Sequence, residues 1–385
     1  DMDVFLFSVA VVTLAAWIAI GIELAVGNRS IRFLKDISGQ QHAPEPRVSI
    51  VIPARNEERN LQEALTSILE QDYGDFEVIA VDDRSTDRTG AILDGMAGDN
   101  PGLRVVHVTE LPPGWLGKNF ALHWGAQQAT GDLLLFTDAD VIMRPSALRR
   151  AVGYMEAREI DHLAVAPDVR MPGMLLKTFV VAFCIFFSLY ARPWKAKDPK
   201  SRRFVGIGAF NLVRKDVYRV VGTHQAIAMR PDDDMKLGKL IKRGGYRQEF
   251  LFGMGLMHVE WYASVRELVD GLMKNAFAGV EYNVSVIIGA SAAQLALNVW
   301  PILALVLTQG ETRALNAAVM LVMLALCGDA AHFLGAPRWY AIGFPIATLL
   351  FIYIMWRSML TALLNGAVNW RGTRYSLAEL KANKV

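Results

Sequence analysis

The chain has 385 residues, 53% of them hydrophobic, with 40 Lys and Arg against 38 Asp and Glu. That length holds one sizeable domain and something besides, and a charge balance near +2 gives no reason to expect a nucleic-acid partner. The two cysteines, Cys184 and Cys327, both sit in apolar stretches, so neither a disulfide framework nor a thiolate metal site is supported.

Val4 to Val26 is an apolar run broken only by Glu23 and long enough to span a bilayer. No basic segment precedes it and no small-residue cleavage site ends it, so it does not read as a signal peptide. Arg29, Arg32 and Lys35 follow, which by the positive-inside rule predicts a cytosolic domain anchored in the inner (plasma) membrane. A polar, proline-bearing linker, Gln40 to Pro46, comes next.

Strands and helices then alternate. Strands are predicted at Val48–Ile52, Phe76–Val81, Leu103–Val108 and Leu133–Thr137, with helices at Glu58–Glu70, Thr86–Met96 and Asn119–Ala129. That alternation predicts an α/β domain with a mostly parallel sheet and helices on both faces. Met174 to Tyr190 is apolar but short for a span and reads as a helix lying in the interface or against the membrane domain, or as an ordinary core helix. Ser264–Phe277 is amphipathic, with Val265, Leu268, Leu272 and Phe277 on one face, and reads as a second interface helix or an ordinary core helix. Further apolar blocks lie near Val284–Leu307, Leu315–Leu334 and Tyr340–Trp356. The expected boundaries are a transmembrane helix over 1–28, a linker over 29–46 and a catalytic domain over 47–261 that carries the interfacial helix at about 174–192. An amphipathic helix over 262–283, transmembrane helices over 284–365 and a basic tail over 366–385 complete the chain.

Four crossings starting from outside would put the basic tail outside, against the positive-inside rule. Val284–Leu307, with Gln294, Asn298 and Pro301, is therefore expected to be irregular or re-entrant. Asp329 and His332, one turn apart in an apolar block, are an intramembrane ionisable pair of unassigned role.

The chemistry collects at strand ends. Asp138 and Asp140 close the strand Leu133–Thr137, and two carboxylates one residue apart can share Mg2+ or Mn2+ while leaving positions for phosphate oxygens. The competing reading is a capping pair for the helix opened by Arg144 and Pro145. Pro53, Asn56 and Glu57 end the first strand, and Asp82 and Asp83 the second; a carboxylate such as Asp83 can accept from a base or a ribose hydroxyl. Asp87 reads better as a helix cap. Neither GxGxxG nor GxxxxGK[ST] occurs. Lys118, at a helix start, suits a diphosphate, or is a solvated surface lysine. Asp232, Asp233 and Asp234 open another helix; the dipole uses one or two, and three adjacent carboxylates raise the proton affinity of one, which suits a general base.

Together the segments VSIVIPARNEE, FEVIAVDDRSTDRT, GKNFAL, ATGDLLLFTDAD and PDDDMKLGKLIKRGGY resemble the family 2 glycosyltransferases. The resemblance covers about Arg47 to Tyr246. It implies a GT-A nucleotide-diphospho-sugar transferase fold, with Asp83 on the nucleotide, Asp138 and Asp140 on the metal of a nucleoside-diphosphate sugar, and Asp234, with Asp233, at the base. The last assignment matches an acidic pair three residues before Leu237. Gly206 to Asn211 resembles the loop that shapes the sugar pocket. The implied reaction is inverting transfer from a UDP-sugar or similar donor. Gly335-Ala336-Pro337-Arg338-Trp339 lacks the glutamine of the QxxRW motif of processive synthases, which argues against a polymerase. The arrangement of helices is similar to the ceramide glucosyltransferase-like and hopanoid- or carotenoid-associated bacterial group, implying a lipid acceptor within the bilayer. In that group Trp261, Tyr262, Lys274, Asn275, Trp370, Arg371 and Tyr375 would lie near the acceptor or the membrane face. A polyprenyl-phosphate sugar synthase, a processive polysaccharide synthase and a catalytically dead sensor or scaffold are the alternatives.

Overall fold

The computed structural model describes residues 2–39 and 45–385; residues 40–44, most of the expected Gln40 to Pro46 linker, lie outside the described residues. The chain divides into two units, one formed by residues 31–170, 192–260 and 366–385, the other by 1–30, 171–191 and 261–365.

The first unit is built on the strands β1 (Val48–Ala54), β2 (Phe76–Asp83), β3 (Leu103–Val108), β4 (Leu133–Phe136), β5 (Val141–Met143), β6 (His162–Ala166), β7 (Asp168–Arg170), β8 (Asn211–Arg214), β9 (Gln248–Phe252) and β10 (Met257–Glu260). Seven of them form one sheet in the order β3-β2-β1-β4-β8-β6-β9. All its pairs are parallel except those that β8 makes with β4 and β6. The apolar runs are continuous because both faces are covered. Along β1, Ile50 and Ile52 enter one core with Leu61, Leu65 and Ile68, whereas Val51 enters a second with Ala121, Leu122 and Ala126. Leu133 and Leu135 divide from Leu134 and Phe136 in the same way. Because β1, β2 and β4 run in register (Val48 beside both Phe76 and Leu133), their polar carboxyl ends emerge along one edge. The small sheet β5-β10-β7 was not legible in the sequence.

Two helices start later than expected, at Leu61 and Thr89 rather than Glu58 and Thr86. The intervening residues are tied across the crevice instead: the Glu57 and Glu58 N–H groups donate to Thr89 Oγ1 and Asp87 Oδ2. The last twenty residues are not a loose basic tail. They form a hairpin of β11 (Ala367–Trp370) and β12 (Thr373–Ser376), then a short helix, Leu377–Ala382, all within the first unit. Part of the expected 29–46 linker also belongs there, with Leu34 fully buried.

The second unit holds five helical stretches long and apolar enough to cross a membrane: Met2–Arg29, Met174–Lys195, Val284–Leu307, Gly310–Phe333 and Arg338–Asn365. The helix Met174–Ala191, expected in the interface or against the membrane domain, packs Val181, Ala182 and Ile185 with Trp17, Val319 and Phe344 of this unit. Val284–Leu307 is broken: helices Val284–Gln294 and Trp300–Leu307 flank a wider π-helical turn at Leu295–Val299. Pro301 has no N–H for the carbonyl four residues back, Leu297, and the indole of Trp17 donates to it instead at 3.0 Å.

Segment membership constrains topology. The chain leaves the first unit at Arg170 and re-enters it at Arg192, leaves it again at Glu260 and re-enters it at Gly366. With that unit on one face of a bilayer, the helix between residues 171 and 191 does not carry the chain across, and 261–365 crosses an even number of times. Cysteines placed at two exposed sites, Arg59→Cys and Lys384→Cys, in a chain lacking Cys184 and Cys327, will react with a membrane-impermeant maleimide from the same side. Labelling from opposite sides would contradict the shared unit.

Candidate active site

The carboxyl ends of β1, β2 and β4 and the start of the helix Asp233–Arg243 supply the polar groups. β1 and β2 both end in a residue held at positive φ, Asn56 at 54° and Arg84 at 56°. The two loops brace each other: Asn56 Oδ1 accepts from the Thr86 N–H at 2.8 Å, and Ser85 Oγ accepts from the Asn56 N–H at 3.1 Å. Asp87 accepts from the Thr89 N–H at 2.9 Å and so serves its helix as a cap.

Asp83, 2% exposed, is gripped by two guanidinium groups, with Arg84 Nε at 2.8 Å and Arg55 Nη1 at 3.3 Å. The buried Nε of Arg55 has no hydrogen-bond partner. Asp82 is committed inward: one oxygen accepts from the Ser85 N–H, and the other meets His107, whose far nitrogen meets Asp94. Those two carboxylates hold the His107 imidazole above its ordinary pKa. Pro53 lies within β1 opposite Val81, and Glu57 forms an ion pair with Arg371. Gly117, just before Lys118, has no room for a side chain, since a Cβ there would come within 2.1 Å of Asp83 Oδ2.

Lys118 joins the two halves of the crevice. Its ammonium lies 2.8 Å from Asp138 Oδ1 and 3.6 Å from Asp233 Oδ1. Burial opposes its charge, but Asp138, Asp233 and Asp234 outweigh that and hold the ammonium above its usual range. Burial, then the Asp138 and Glu57 carboxylates, push the Asp140 carboxyl up. Asp234 is raised in the same sense, by burial first and Asp233 next, with Lys118 opposing.

The aspartate triplet divides by partner. Asp232 receives a two-pronged ion pair from the fully buried Arg230 and a longer one from Lys236, so it is spent on structure. Asp233 faces Lys118, and Asp234 Oδ2 accepts from the Gly208 N–H at 2.8 Å. The loop from Gly206 to Asn211 therefore runs between the two acidic groups: its Gly208 carbonyl also accepts from the Asp138 N–H, and Thr137 Oγ1 donates to the Ala209 carbonyl. The close approach depends on Gly206, where a Cβ would fall 1.8 Å from the Asp234 carbonyl oxygen.

Thus Glu57, Asp138, Asp140, Lys118, Asp233 and Asp234 act on one another, and Asp83 lies beside them across Gly117. Sequence reasoning missed Asn119, whose amide donates to three carbonyls, Ile227, Ala228 and Arg230, and so ties the Lys118 helix to the stretch before the triplet. It also missed Arg230, for which an arginine close to three aspartates was the available signal. The donor set fits a hard divalent cation: all oxygen, negatively charged, with neighbouring carboxylates whose mutual repulsion a cation would relieve. No three His, Cys, Asp or Glu side chains among the described residues converge on one point, so such an ion would complete its shell from substrate oxygens and water.

A mostly parallel sheet with acidic groups along its carboxyl edge defines a GT-A glycosyltransferase fold. Residues 49–222 match the model described as Glycosyl transferase family 2, and this part of the chain is a glycosyltransferase domain of that family. A 4,4'-diaponeurosporenoate glycosyltransferase of Staphylococcus haemolyticus is 28% identical over 60% of this chain and 61% of its own. A beta-monoglucosyldiacylglycerol synthase of a Synechocystis strain is 38% identical over 32% of this chain and 26% of its own. The matched stretches therefore span less than two thirds of either relative. Among solved structures, a mannosyltransferase of Pyrobaculum calidifontis, in complex with GDP-Man and Mn2+, superposes with a TM-score of 0.55 at 21% identity, covering 93% of this chain and 99% of that one.

Gly206→Ala will lower the melting temperature and slow turnover together, because the Asp234 backbone must retreat from the new methyl group. Thermal unfolding beside a nucleotide-release assay checks it, and unchanged values in both would refute the close approach.

Proposed function

We propose that this chain is an inverting, metal-dependent, non-processive glycosyltransferase that moves a sugar from a nucleoside-diphosphate sugar, with UDP-sugars the first donors to try, to the hydroxyl of a membrane lipid. The observation that carries the reading is Lys118, held between Asp138 and Asp233 with Asp234 beside it. A diphosphate needs cationic neutralisation at one end of the crevice, and an attacking hydroxyl needs a proton acceptor at the other. Lys118 and the acidic pair lie within reach of both.

In this reading Asp83, with Arg55 and Arg84, holds the nucleoside. Asp138 and Asp140 would hold Mg2+ or Mn2+, which supplies charge neutralisation of the departing diphosphate. Lys118 would turn part of its charge from Asp138 to the leaving group as negative charge develops there. Asp234, raised to about 7 by burial and then by Asp233, takes in its ionised form the proton of the acceptor hydroxyl as the hydroxyl oxygen attacks the anomeric carbon. Gly208 N–H fixes the orientation of that carboxylate.

Support for a lipid acceptor comes from two directions. Five apolar helices surround the domain in sequence, and the relatives are named for diaponeurosporenoate and monoglucosyldiacylglycerol. An acceptor in the leaflet would meet a water-soluble donor at a domain anchored to that leaflet, and in this reading the domain lies on the cytosolic side of a cell membrane, as Arg29, Arg32 and Lys35 favour.

Asp234→Asn will lower turnover by about 10²–10⁴-fold while nucleoside-diphosphate affinity stays within a few-fold. In the parent protein the same group sets the acid limb. The rate falls as pH drops through its raised pKa, so the limb lies above the pH at which an ordinary carboxylate, near about 4, titrates. Products are read by lipid mass spectrometry; full turnover in the Asn variant would remove Asp234 from the reaction.

Chelation by EDTA will abolish sugar transfer and weaken nucleoside-diphosphate binding, and added Mn2+ will restore both. Retention of both without metal would turn the Asp138 and Asp140 pair into a capping device.

A further inference from the structure

β11 and β12 are joined by a two-residue turn, Arg371-Gly372, between Trp370 and Thr373. Both turn residues have positive φ, 46° at Arg371 and 78° at Gly372. That is the backbone of a tight hairpin turn whose first position favours Asn or Gly, because a Cβ in the left-handed region crowds its own backbone. An arginine there accepts strain, and its side chain has a definite destination. The guanidinium donates to the Arg55 carbonyl and forms an ion pair with Glu57, both in the segment that ends β1. Four residues on, the Tyr375 hydroxyl, on a residue 7% exposed, accepts from the Gly117 N–H at 3.3 Å and bonds to the Arg84 guanidinium. One hairpin thus touches the end of β1, the end of β2 and the residue before Lys118.

Building on the nucleotide-sugar reading above, we propose that this hairpin is a wall of the donor site and that Arg371 is a donor-site residue, exchanging Glu57 for the diphosphate when the nucleotide binds. The other cations of the crevice are engaged more deeply. Arg55 and Arg84 hold Asp83, and Lys118 holds Asp138 and Asp233. The Arg371 side chain is 39% exposed and its Glu57 partner 24%, so their ion pair is a surface pair that costs little to exchange. A guanidinium fork matches the oxygens of a diphosphate in two-pronged fashion, which a lysine at that place would not. Tyr375 holds the hairpin against Gly117 and is a positioning residue.

Arg371→Asn separates this role from folding, because asparagine suits the left-handed turn better than arginine does. Purified full-length protein with Mn2+ is titrated calorimetrically with UDP, uridine, GDP and guanosine, beside thermal unfolding. The expected result is an unchanged or higher melting temperature, with the diphosphates bound at least about tenfold more weakly and the nucleosides changed by less than about twofold. Diphosphate affinity equal to the parent's would overturn the role of Arg371, as would equal losses for nucleoside and diphosphate, which would mark a structural effect. A parent protein that binds none of the four would overturn the donor reading itself, and the hairpin's part with it.

Discussion

One partly buried ammonium organises the acidic edge of this domain. Lys118 opens the helix Gly117–Gln128 and meets Asp138, from the end of β4, and Asp233, from the start of another helix. Without a cation there, Asp138, Asp140, Asp233 and Asp234 would crowd a desolvated space with one sign of charge, and the proton affinities of Asp140 and Asp234 are already raised. A charge in that position must be fixed, or the carboxylates neutralise themselves by taking up protons. Asn119 supplies the fixing: its amide ties the lysine-bearing helix to the segment that leads into the triplet.

The domain meets its functional constraints with backbone as much as with side chains. Gly117 lets the chain pass Asp83, Gly206 lets the pocket loop lie on Asp234, and Asn56 and Arg84 hold strand ends in a conformation that side chains seldom adopt. These four positions all lie at the edge where the polar groups gather. The rigid part of the structure is the doubly covered sheet, whose two cores are assigned by simple alternation along β1, β2 and β4.

The chain's two units are interleaved in sequence, and that interleaving has consequences. If that domain lies on one face of a bilayer, the apolar stretches between its segments return the chain to the side it left. The break at Leu295–Val299 has a local cause in Pro301, and the carbonyl it strands is rescued by Trp17 from far away in sequence.

The sequence by itself determined the alternating strands and helices, the apolar segments, and the acidic and basic residues at strand ends, because these are local: hydrophobic period, turn chemistry and spacing are written within a few residues of one another. Arg144 and Pro145 could still make Asp138 and Asp140 look like caps, and only the fold brought them to Lys118. Tertiary structure alone decided which aspartate of the triplet is spent on Arg230 and which faces the crevice, since neighbours in sequence on a helix point in different directions. It alone brought the last twenty residues, an apparent basic tail in the sequence, to the end of β1, where Arg371 meets Glu57 across more than three hundred residues. Such long-range pairings are set by how the sheet registers and how the helices pack, and no window of neighbouring residues contains them.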